Sequence, residues 1–460
     1  MAISPDAAER YETRSLSWAA AADALREWRA VTTTLNAPWL RSVRWVLRLT
    51  GLGAFLVLLV GWMNVRGEGP MDSGLPATAA ADSAFIERGA YLARAGNCMG
   101  CHSTGGAGDF AGGRGVETSF GTVFASNITP DPTTGIGSWS SAEFWRAMHH
   151  GRSKDGRLLY PAFPYPSYTK ITREDSDALY AYLRTVEPVV QANKAHDLPF
   201  PVSTQAALAA WRALFFSPGT LESEPEKSEG WNRGRYLVEG LAHCAACHSS
   251  RNVLGATSLN ADFAGGLMPD EAWYAPSLAS PEEGGLQRWA SEEAVRLLRD
   301  GVSTHAGVSG PMADVVYRST QYLTSGDLDA MVEYLASIPV PADGKREVDR
   351  AASDIMRRGA KIYEVQCASC HGDEGQGVPG AYPALAGNRA VLLDSPNNLV
   401  RIIRMGGFSP STAGNPQPFG MPPFAQVLSN EDIADVTTYL RQSWGNLAPA
   451  VSTLDVHRVK

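Results

Sequence analysis

The chain of 460 residues is predicted to be all-α, with one membrane-spanning helix followed by three tandem copies of a small helical domain. Three observations predict this arrangement. The pattern Cys-x-x-Cys-His occurs three times, and short helical patterns recur at matching offsets around each copy. A run of seventeen uncharged residues, Leu49–Val65, precedes all three copies and approaches the length that a spanning helix needs.

The composition describes a mostly soluble protein with a mild negative charge. Hydrophobic residues make up 44% of the chain, and 40 basic against 48 acidic residues give a net charge of −8. The chain has no excess of basic residues, so binding to nucleic acid is not predicted. A typical domain of roughly 150 residues predicts about three domains for this length, which agrees with three motif copies.

The three copies of the motif have the spacing of c-type haem attachment sites. Two thiols three positions apart on a helical turn can each bond to a haem vinyl group, and the following imidazole can bind the iron. A zinc site needs four ligands, and each cysteine pair lies more than a hundred residues from the next. The prediction is three haem c groups, attached through Cys98, Cys101, Cys244, Cys247, Cys367 and Cys370, with His102, His248 and His371 as axial iron ligands.

The uncharged run is predicted to be one transmembrane helix at about residues 43–65. Trp45 and Trp62 stand where interfacial aromatic residues belong. Arginines cluster on the N-terminal side of the run, which places residues 1–42 in the cytoplasm and everything after residue 65 outside the inner membrane. The charged residues that decide this orientation are Arg41, Arg44 and Arg48 before the run and Arg66, Glu68 and Asp72 after it.

A cleaved signal peptide is the competing interpretation of the same run. Ala77-Thr78-Ala79 resembles a cleavage site, but it lies far beyond the apolar run, and the run is too long for a signal peptide. Nearer the N-terminus, apolar residues three or four apart predict an amphipathic helix that lies on a membrane or a partner, or serves only as a tether. These residues are Trp18, Ala21, Leu25, Trp28 and Val31.

Helical patterns around each motif define the predicted domains. An Arg-Gly pair opens a helix before each motif, and a Ser/Thr-x-x-Asp cap begins the last helix of each copy at Thr172, Thr324 and Ser429. The predicted domains cover 83–190, 230–340 and 350–446, with a connecting segment at 191–229 and a tail at 447–460. Residues 206–216 of the connection form an apolar helix that either joins domains one and two or docks a partner.

Methionines in the loop before each last helix are candidates for the second axial position of the iron. The second copy offers Met312 and the third offers Met421, each beside proline or glycine. The first copy has Phe163 in this register, which cannot bind iron. Met148 and His149 are the alternatives there, and the sequence leaves the choice open.

The order helix, haem, helix, loop, helix resembles class I cytochrome c domains. With Ser126–Asp131 and Thr134–Trp139, the whole plan resembles the three-haem cytochrome c subunits of bacterial membrane-bound dehydrogenases over roughly residues 83–445. Such subunits serve alcohol, gluconate and fructose dehydrogenases and pass electrons to ubiquinone. Leu159–Tyr165, with Phe163 in place of methionine, and Trp211–Phe216 look more like the branch paired with molybdenum aldehyde dehydrogenases.

The resemblance implies a non-catalytic electron-transfer subunit of a periplasmic aldehyde or alcohol dehydrogenase. Its implied partners are a catalytic subunit, with molybdopterin and iron–sulfur subunits as candidates, together with ubiquinone and the membrane. Two other functions stay open. One is a multihaem enzyme, peroxidase-like or nitrite-reducing, that uses the first haem, and the other is a tethered electron carrier to a terminal oxidase.

Overall fold

The structure is a computed structural model that describes residues 23–24, 26–29, 38–76, 82–106, 108–257, 262–269, 273–341 and 348–459. The chain divides into two compact parts, Met1–Val65 and Arg66–Lys460, and each part is described by itself.

The first part contains helix α1, Pro38–Val65. Within the described residues, its stretch Ser42–Val65 is long and apolar enough to cross a membrane, and its apolar side chains lie exposed. The helix begins earlier than the predicted residue 43, because a proline is favoured in the first helical turn. Ala77-Thr78-Ala79 and most of the N-terminal amphipathic pattern lie outside the described residues, although Trp28 is helical and exposed.

The segment predicted as the first domain, residues 83–190, is called the first repeat, and its described residues contain five helices and one hairpin. In chain order these are α2 (Ser83–Ala95), α3 (Cys98–His102), β1 (Gly115–Thr118), β2 (Gly121–Phe124), α4 (Ser141–His150), α5 (Tyr165–Tyr168) and α6 (Arg173–Leu183). Helix α7 (Gln205–Phe215) follows in the connecting segment and contacts both neighbouring repeats. Gln205 bonds to the backbone of Leu158, and Trp211 Nε1 donates to Leu254 O at 2.9 Å.

The second repeat, residues 230–340, begins with α8 (Glu229–Arg235), which continues as a π-helical turn over Tyr236–Leu241. Arg88 precedes Cys98 by ten residues, whereas Arg233 precedes Cys244 by eleven. The wider π turn accommodates this additional residue without breaking the helix. The remaining elements are α9 (Ala245–His248), β3 (Gly266–Leu267), β4 (Tyr274–Ala275), α10 (Ser291–Asp300), α11 (Gly310–Arg318), a 3₁₀ turn (Thr320–Tyr322) and α12 (Ser325–Ala336).

The third repeat, residues 350–446, has the same kinds of elements in a different order, because its strand pair comes directly before the last helix, whereas in the first two repeats the pair comes soon after the motif. They are α13 (Ser353–Gln366), α14 (Ala368–His371), α15 (Arg389–Leu392), α16 (Asn397–Met405), β5 (Gly407–Phe408), β6 (Gly420–Met421) and α17 (Asn430–Gln442), with α18 (Thr453–Arg458) in the tail. The three strand pairs found in the described part of the chain are each antiparallel and two-stranded. The fold is therefore mostly helical, and the all-α prediction did not anticipate these hairpins.

The helix before each motif packs against the last helix of the same repeat: α2 on α6, α8 on α12, and α13 on α17. The glycine of each Arg-Gly pair lies at the crossing. A Cβ on Gly89 or Gly234 would lie 1.9 Å from a carbonyl oxygen of the facing helix, and on Gly359 it would lie 2.4 Å away. Only glycine permits this approach, so the recurring pair predicted from the sequence has a steric cause.

The three predicted helix caps are confirmed. The Thr172, Thr324 and Ser429 side chains accept hydrogen bonds from the backbone N–H of Asp175, Asp327 and Asp432 at 3.1, 3.2 and 3.1 Å. Each bond satisfies an N–H that would otherwise have no partner at the helix start.

Two apolar cores hold the second part of the chain together. One contains buried residues of both the first and the second repeat, from Leu92 to Ile338. The other contains residues of the third repeat and of the tail, from Tyr363 to Val459. The first two repeats thus share one core, while the third builds its own.

Candidate haem sites

Each Cys-x-x-Cys-His motif forms a single helical turn, α3, α9 or α14, directly after the helix that crosses its repeat. All six cysteines are partly buried. Burial raises the pKa of Cys98 and Cys244 to about 12 and that of Cys367 to about 11. A helical turn places both thiols of a pair on one side, as two thioether bonds to one ring require.

The three motif histidines make the same hydrogen bond. The Nδ1 of His102, His248 and His371 lies 2.7, 2.8 and 2.9 Å from the carbonyl oxygens of Ser126, Pro276 and Pro383, respectively. A carbonyl can only accept, so Nδ1 carries the proton and Nε2 keeps its lone pair. Burial lowers the pKa of all three imidazoles, which keeps them neutral at pH 7. A neutral imidazole oriented through its other nitrogen is the usual form of a metal ligand.

A glycine closes the loop after each motif. The N–H groups of Gly112, Gly265 and Gly377 donate to the carbonyl oxygens of His102, His248 and His371 at 2.7, 2.8 and 2.8 Å. The three glycines have φ values of 78°, 72° and 65°, and a Cβ at each would lie within 2.5 Å of backbone atoms. The loop therefore binds each motif turn through the carbonyl of its histidine. A residue with a side chain could not replace the glycine without backbone strain.

Sequence reasoning missed both the glycines and the carbonyl partners. A signal was present in the tripeptide Phe-Ala-Gly, which recurs at 110–112 and 263–265. A second signal was an apolar residue two places after each carbonyl, namely Ile128, Leu278 and Leu385. The N–H of each of these residues donates to a backbone carbonyl of the loop, at 2.9, 2.9 and 2.7 Å.

The two candidate methionines each lie in a regular element of their own repeat. Met421 ends strand β6 and packs at the edge of the third-repeat core. Met312 lies in the first turn of α11, although a loop was expected there. Pro311 favours a helix here because its fixed φ suits the first turn, and Gly310, with φ of 54°, lies against the indole of Trp273.

The first repeat places its three candidate residues differently. Phe163 is partly buried and contacts Tyr168, with ring centroids 5.3 Å apart. Met148 lies in the shared core at 6% exposure. The His149 ring is stacked on Trp145 at 4.3 Å, its Nδ1 has no hydrogen-bond partner among the described residues, and burial lowers its pKa to about 4.

The two cysteines and the histidine of each motif fit a covalently bound haem. Two adjacent thiols can form the thioether bonds, and a neutral histidine with a free Nε2 can bind the iron. Within the described residues, no group of three or more His, Cys, Asp and Glu side chains is arranged to hold a metal ion by itself.

Known proteins resemble this chain over most of its length. The sequence profile of the family described as Cytochrome c matches residues 86–187 and 356–444. The cytochrome c subunit of alcohol dehydrogenase (quinone) from Gluconacetobacter polyoxogenes is 40% identical over 405 residues, which cover 84% of this chain and 86% of the relative. The gluconate 2-dehydrogenase cytochrome c subunit of Pantoea cypripedii is 40% identical over 392 residues, 81% of this chain and 88% of the relative. The fructose dehydrogenase cytochrome subunit of Gluconobacter japonicus is 35% identical over 451 residues, which cover 91% of this chain and 90% of the relative.

Proposed function

Because this chain belongs to the family of cytochrome c subunits of quinone alcohol, gluconate and fructose dehydrogenases, we propose that it is the membrane-anchored, three-haem electron-transfer subunit of a periplasmic dehydrogenase complex. Electrons enter from a catalytic subunit and leave to ubiquinone. The chain itself performs no substrate chemistry in this proposal. Its residues hold the haems, set their potentials and arrange the path between them.

The observation that carries the proposal is the hydrogen bond from histidine Nδ1 to a carbonyl, which occurs identically at all three motifs. Haem iron supplies reversible one-electron chemistry when bound. The three neutral histidines serve as its proximal ligands, and the six cysteines Cys98, Cys101, Cys244, Cys247, Cys367 and Cys370 attach the rings. The second motif has the same geometry as the other two, which supports a count of three.

Met312 and Met421 are the proposed second axial ligands of the second and third haems. A thioether raises the haem potential and closes the iron to other ligands, which favours electron transfer over catalysis. Phe163 leaves the first haem without such a ligand from the corresponding loop. The first haem is therefore expected to have a lower potential than the other two and to be the first to receive electrons.

Helix α1 is the proposed single-pass anchor in the inner membrane. Its span Ser42–Val65 is apolar and exposed, and Trp45 and Trp62 lie near its two ends. The arginines before it favour a cytoplasmic N-terminus and periplasmic haem repeats. An anchor keeps the haem repeats beside the bilayer, where ubiquinone accepts electrons.

The proposed partner is a catalytic subunit that oxidises an aldehyde or an alcohol. Phe163, where the sugar and alcohol branches usually have methionine, favours the branch whose catalytic chains carry molybdopterin and iron–sulfur clusters. Partner chains of that chemistry are therefore the first to look for in the purified complex.

Reduction of a ubiquinone analogue tests the function. The complex, purified from native membranes, is expected to reduce the analogue with an aldehyde or alcohol as donor. The separated cytochrome chain is expected to do so only after its partner subunits are restored. If the separated chain oxidised aldehyde or alcohol, or reduced peroxide, as fast as the complex turns over its substrate, the first haem would be a catalytic centre and the proposal would be wrong. Reduction of a terminal oxidase but not of the analogue would indicate a tethered carrier.

A further inference from the structure

A tyrosine of the first repeat reaches the last helix of the second. Tyr91, on α2, donates from its hydroxyl to Asp327 at 2.5 Å, and the N–H of Thr324 donates to the same hydroxyl at 3.2 Å. Asp327 also accepts from Arg233 of its own repeat, with both contacts at 2.8 Å. The first turn of α12 is thus bonded to both repeats.

The second repeat makes the same contact in return. Tyr236 donates to Asp175 at 2.5 Å, and the N–H of Thr172 donates to the Tyr236 hydroxyl at 3.1 Å. Asp175 also accepts from Arg88 of its own repeat at 2.9 and 2.6 Å. The two contacts are therefore equivalent and reciprocal, as in an interface with twofold symmetry, although both lie within one chain.

The tyrosines explain why only two repeats are paired in this way. Tyr91 and Tyr236 each stand three residues after the arginine of an Arg-Gly pair, whereas Lys361 occupies this place in the third repeat. Arg358 there bonds to Asp435 of its own repeat. The third repeat accordingly has its own core, while the first two share one.

The reciprocal interface brings the first two haem motifs close together. Helix α11 of the second repeat packs on the motif turn α3 of the first. Arg114 connects them, because its guanidinium donates to the carbonyl of Gly100 inside the first motif and to Asp314 of α11 at 3.1 Å. The buried Ser319 hydroxyl donates to Ala95 O at 3.3 Å, just before the first motif.

The segments just before the two motifs also meet. The Tyr168 hydroxyl donates to Gly96 O at 3.3 Å and lies 3.4 Å from the Nδ1 of His243. A Cβ on Gly96 would lie 3.3 Å from a methyl carbon of Leu241. Gly96 precedes Cys98 by two residues and His243 directly precedes Cys244, so these contacts hold the first two motifs close together.

We propose that the reciprocal pairs Tyr91–Asp327 and Tyr236–Asp175 lock the first and second repeats into one rigid two-haem unit, in which the first two motifs are held close together. Electrons therefore equilibrate within this pair before they reach the third haem. The tyrosines and aspartates are positioning residues, since they act through the repeats that carry the haems. The inference rests on the proposed function, because it requires haem at the first two motifs.

Circular dichroism in the Soret band tests the pairing of the haems. Two nearby haems couple their transitions and give a pair of bands of opposite sign, which isolated haems do not give. The full chain is expected to show this signal. Cys367→Ala with Cys370→Ala, which removes the third haem, should preserve it, while Cys244→Ala with Cys247→Ala should abolish it. If the signal were absent from the full chain or survived loss of the second haem, the pairing would be refuted.

The lock is tested by removing the two hydroxyl groups. Tyr91→Phe combined with Tyr236→Phe is expected to lose most of the coupled signal while it keeps all its haems. Tyr317→Phe, at an exposed tyrosine of the second repeat, is the matched control and should retain the signal. A double variant with full amplitude would show that the tyrosines do not hold the pair. A haem count below three in the unaltered chain would instead refute the proposed function, so the two failures are distinguishable.

Discussion

Single residues determine how well each motif can bind the iron of its proposed haem. The three histidines are held by carbonyls of otherwise different loops, and each loop is closed by a glycine that bonds to the histidine carbonyl. The imidazole plane is therefore fixed by backbone groups, which are less easily lost by substitution than side chains. A ligand that is fixed in advance does not have to reorganise when the iron changes its charge.

The two methionines are predicted to set the potentials of the second and third haems. Met312→Ala and Met421→Ala each remove a thioether that favours reduced iron, so the potential of the affected haem should fall and carbon monoxide should bind. Spectroelectrochemical titration and carbon monoxide difference spectra measure both effects. Met405→Ala is the matched control, because Met405 is 59% exposed in the same repeat as Met421. Unchanged potentials without carbon monoxide binding would refute both ligand assignments.

The glycine at a helix crossing is predicted to be intolerant of even one methyl group. Gly234→Ala would place a Cβ 1.9 Å from Ala330 O, so it should destabilise the protein by about 1–3 kcal/mol or more. Thermal unfolding followed at 222 nm measures the loss. Gly326→Ala is the control, since nothing lies within 4 Å of its Cβ position and alanine favours a helix. Equal thermal midpoints for the two variants would contradict the steric explanation.

Local features of the sites were predictable from the sequence, and distant ones were not. The motif turns and the caps depend on neighbours within four residues, which a sequence pattern records. The histidine partners lie 24, 28 and 12 residues away, so no constant spacing reveals them. Met312 was expected in a loop because glycine and proline precede it, but Pro311 lies in the first turn of a helix instead.

At the scale of elements, the same pair of crossed helices supports every motif. The π-helical turn before Cys244 lets the second repeat keep this crossing in spite of its additional residue. The hairpins were not predicted because strands of two to four residues are too short to show an alternation of apolar and polar residues. The contact between Tyr91 and Asp327 spans 236 residues and depends on packing that local patterns do not encode.

The cap of α12 is predicted to stabilise the interface as well as its own helix. Thr324→Ala removes the acceptor for the Asp327 N–H and should cost about 0.5–2 kcal/mol. The thermal midpoint of the intact protein measures this loss. Ser325→Ala, at the exposed neighbouring position, should leave the midpoint almost unchanged. A larger loss for Ser325→Ala than for Thr324→Ala would contradict the role of the cap.

Helix α1 is predicted to be an uncleaved anchor with its N-terminus in the cytoplasm. A reporter that is active only outside the cytoplasm, fused after Lys460, should therefore be active. N-terminal sequencing of the membrane-bound protein should begin near Met1. A sequence that begins near Ala80 would indicate a cleaved leader, and an inactive reporter would indicate the opposite orientation.

At the scale of the whole molecule, the chain combines an apolar helix, two repeats that share a core and a third repeat with its own core. Three metals in one chain can carry charge over a longer path than one. The family membership and the proposed anchor favour a path from a catalytic subunit to a membrane quinone. The number of haems bound to the chain determines how many iron centres that path can contain.

The haem count tests this account most directly. A pyridine haemochrome assay on the purified chain, with protein measured by amino-acid analysis, should give three haem c groups per chain. The second motif is the critical one, because the family profile matches only the segments that contain the first and third. Cys244→Ala with Cys247→Ala should lower the count from three to two. A count of two in the unaltered chain, unchanged in this variant, would contradict the account.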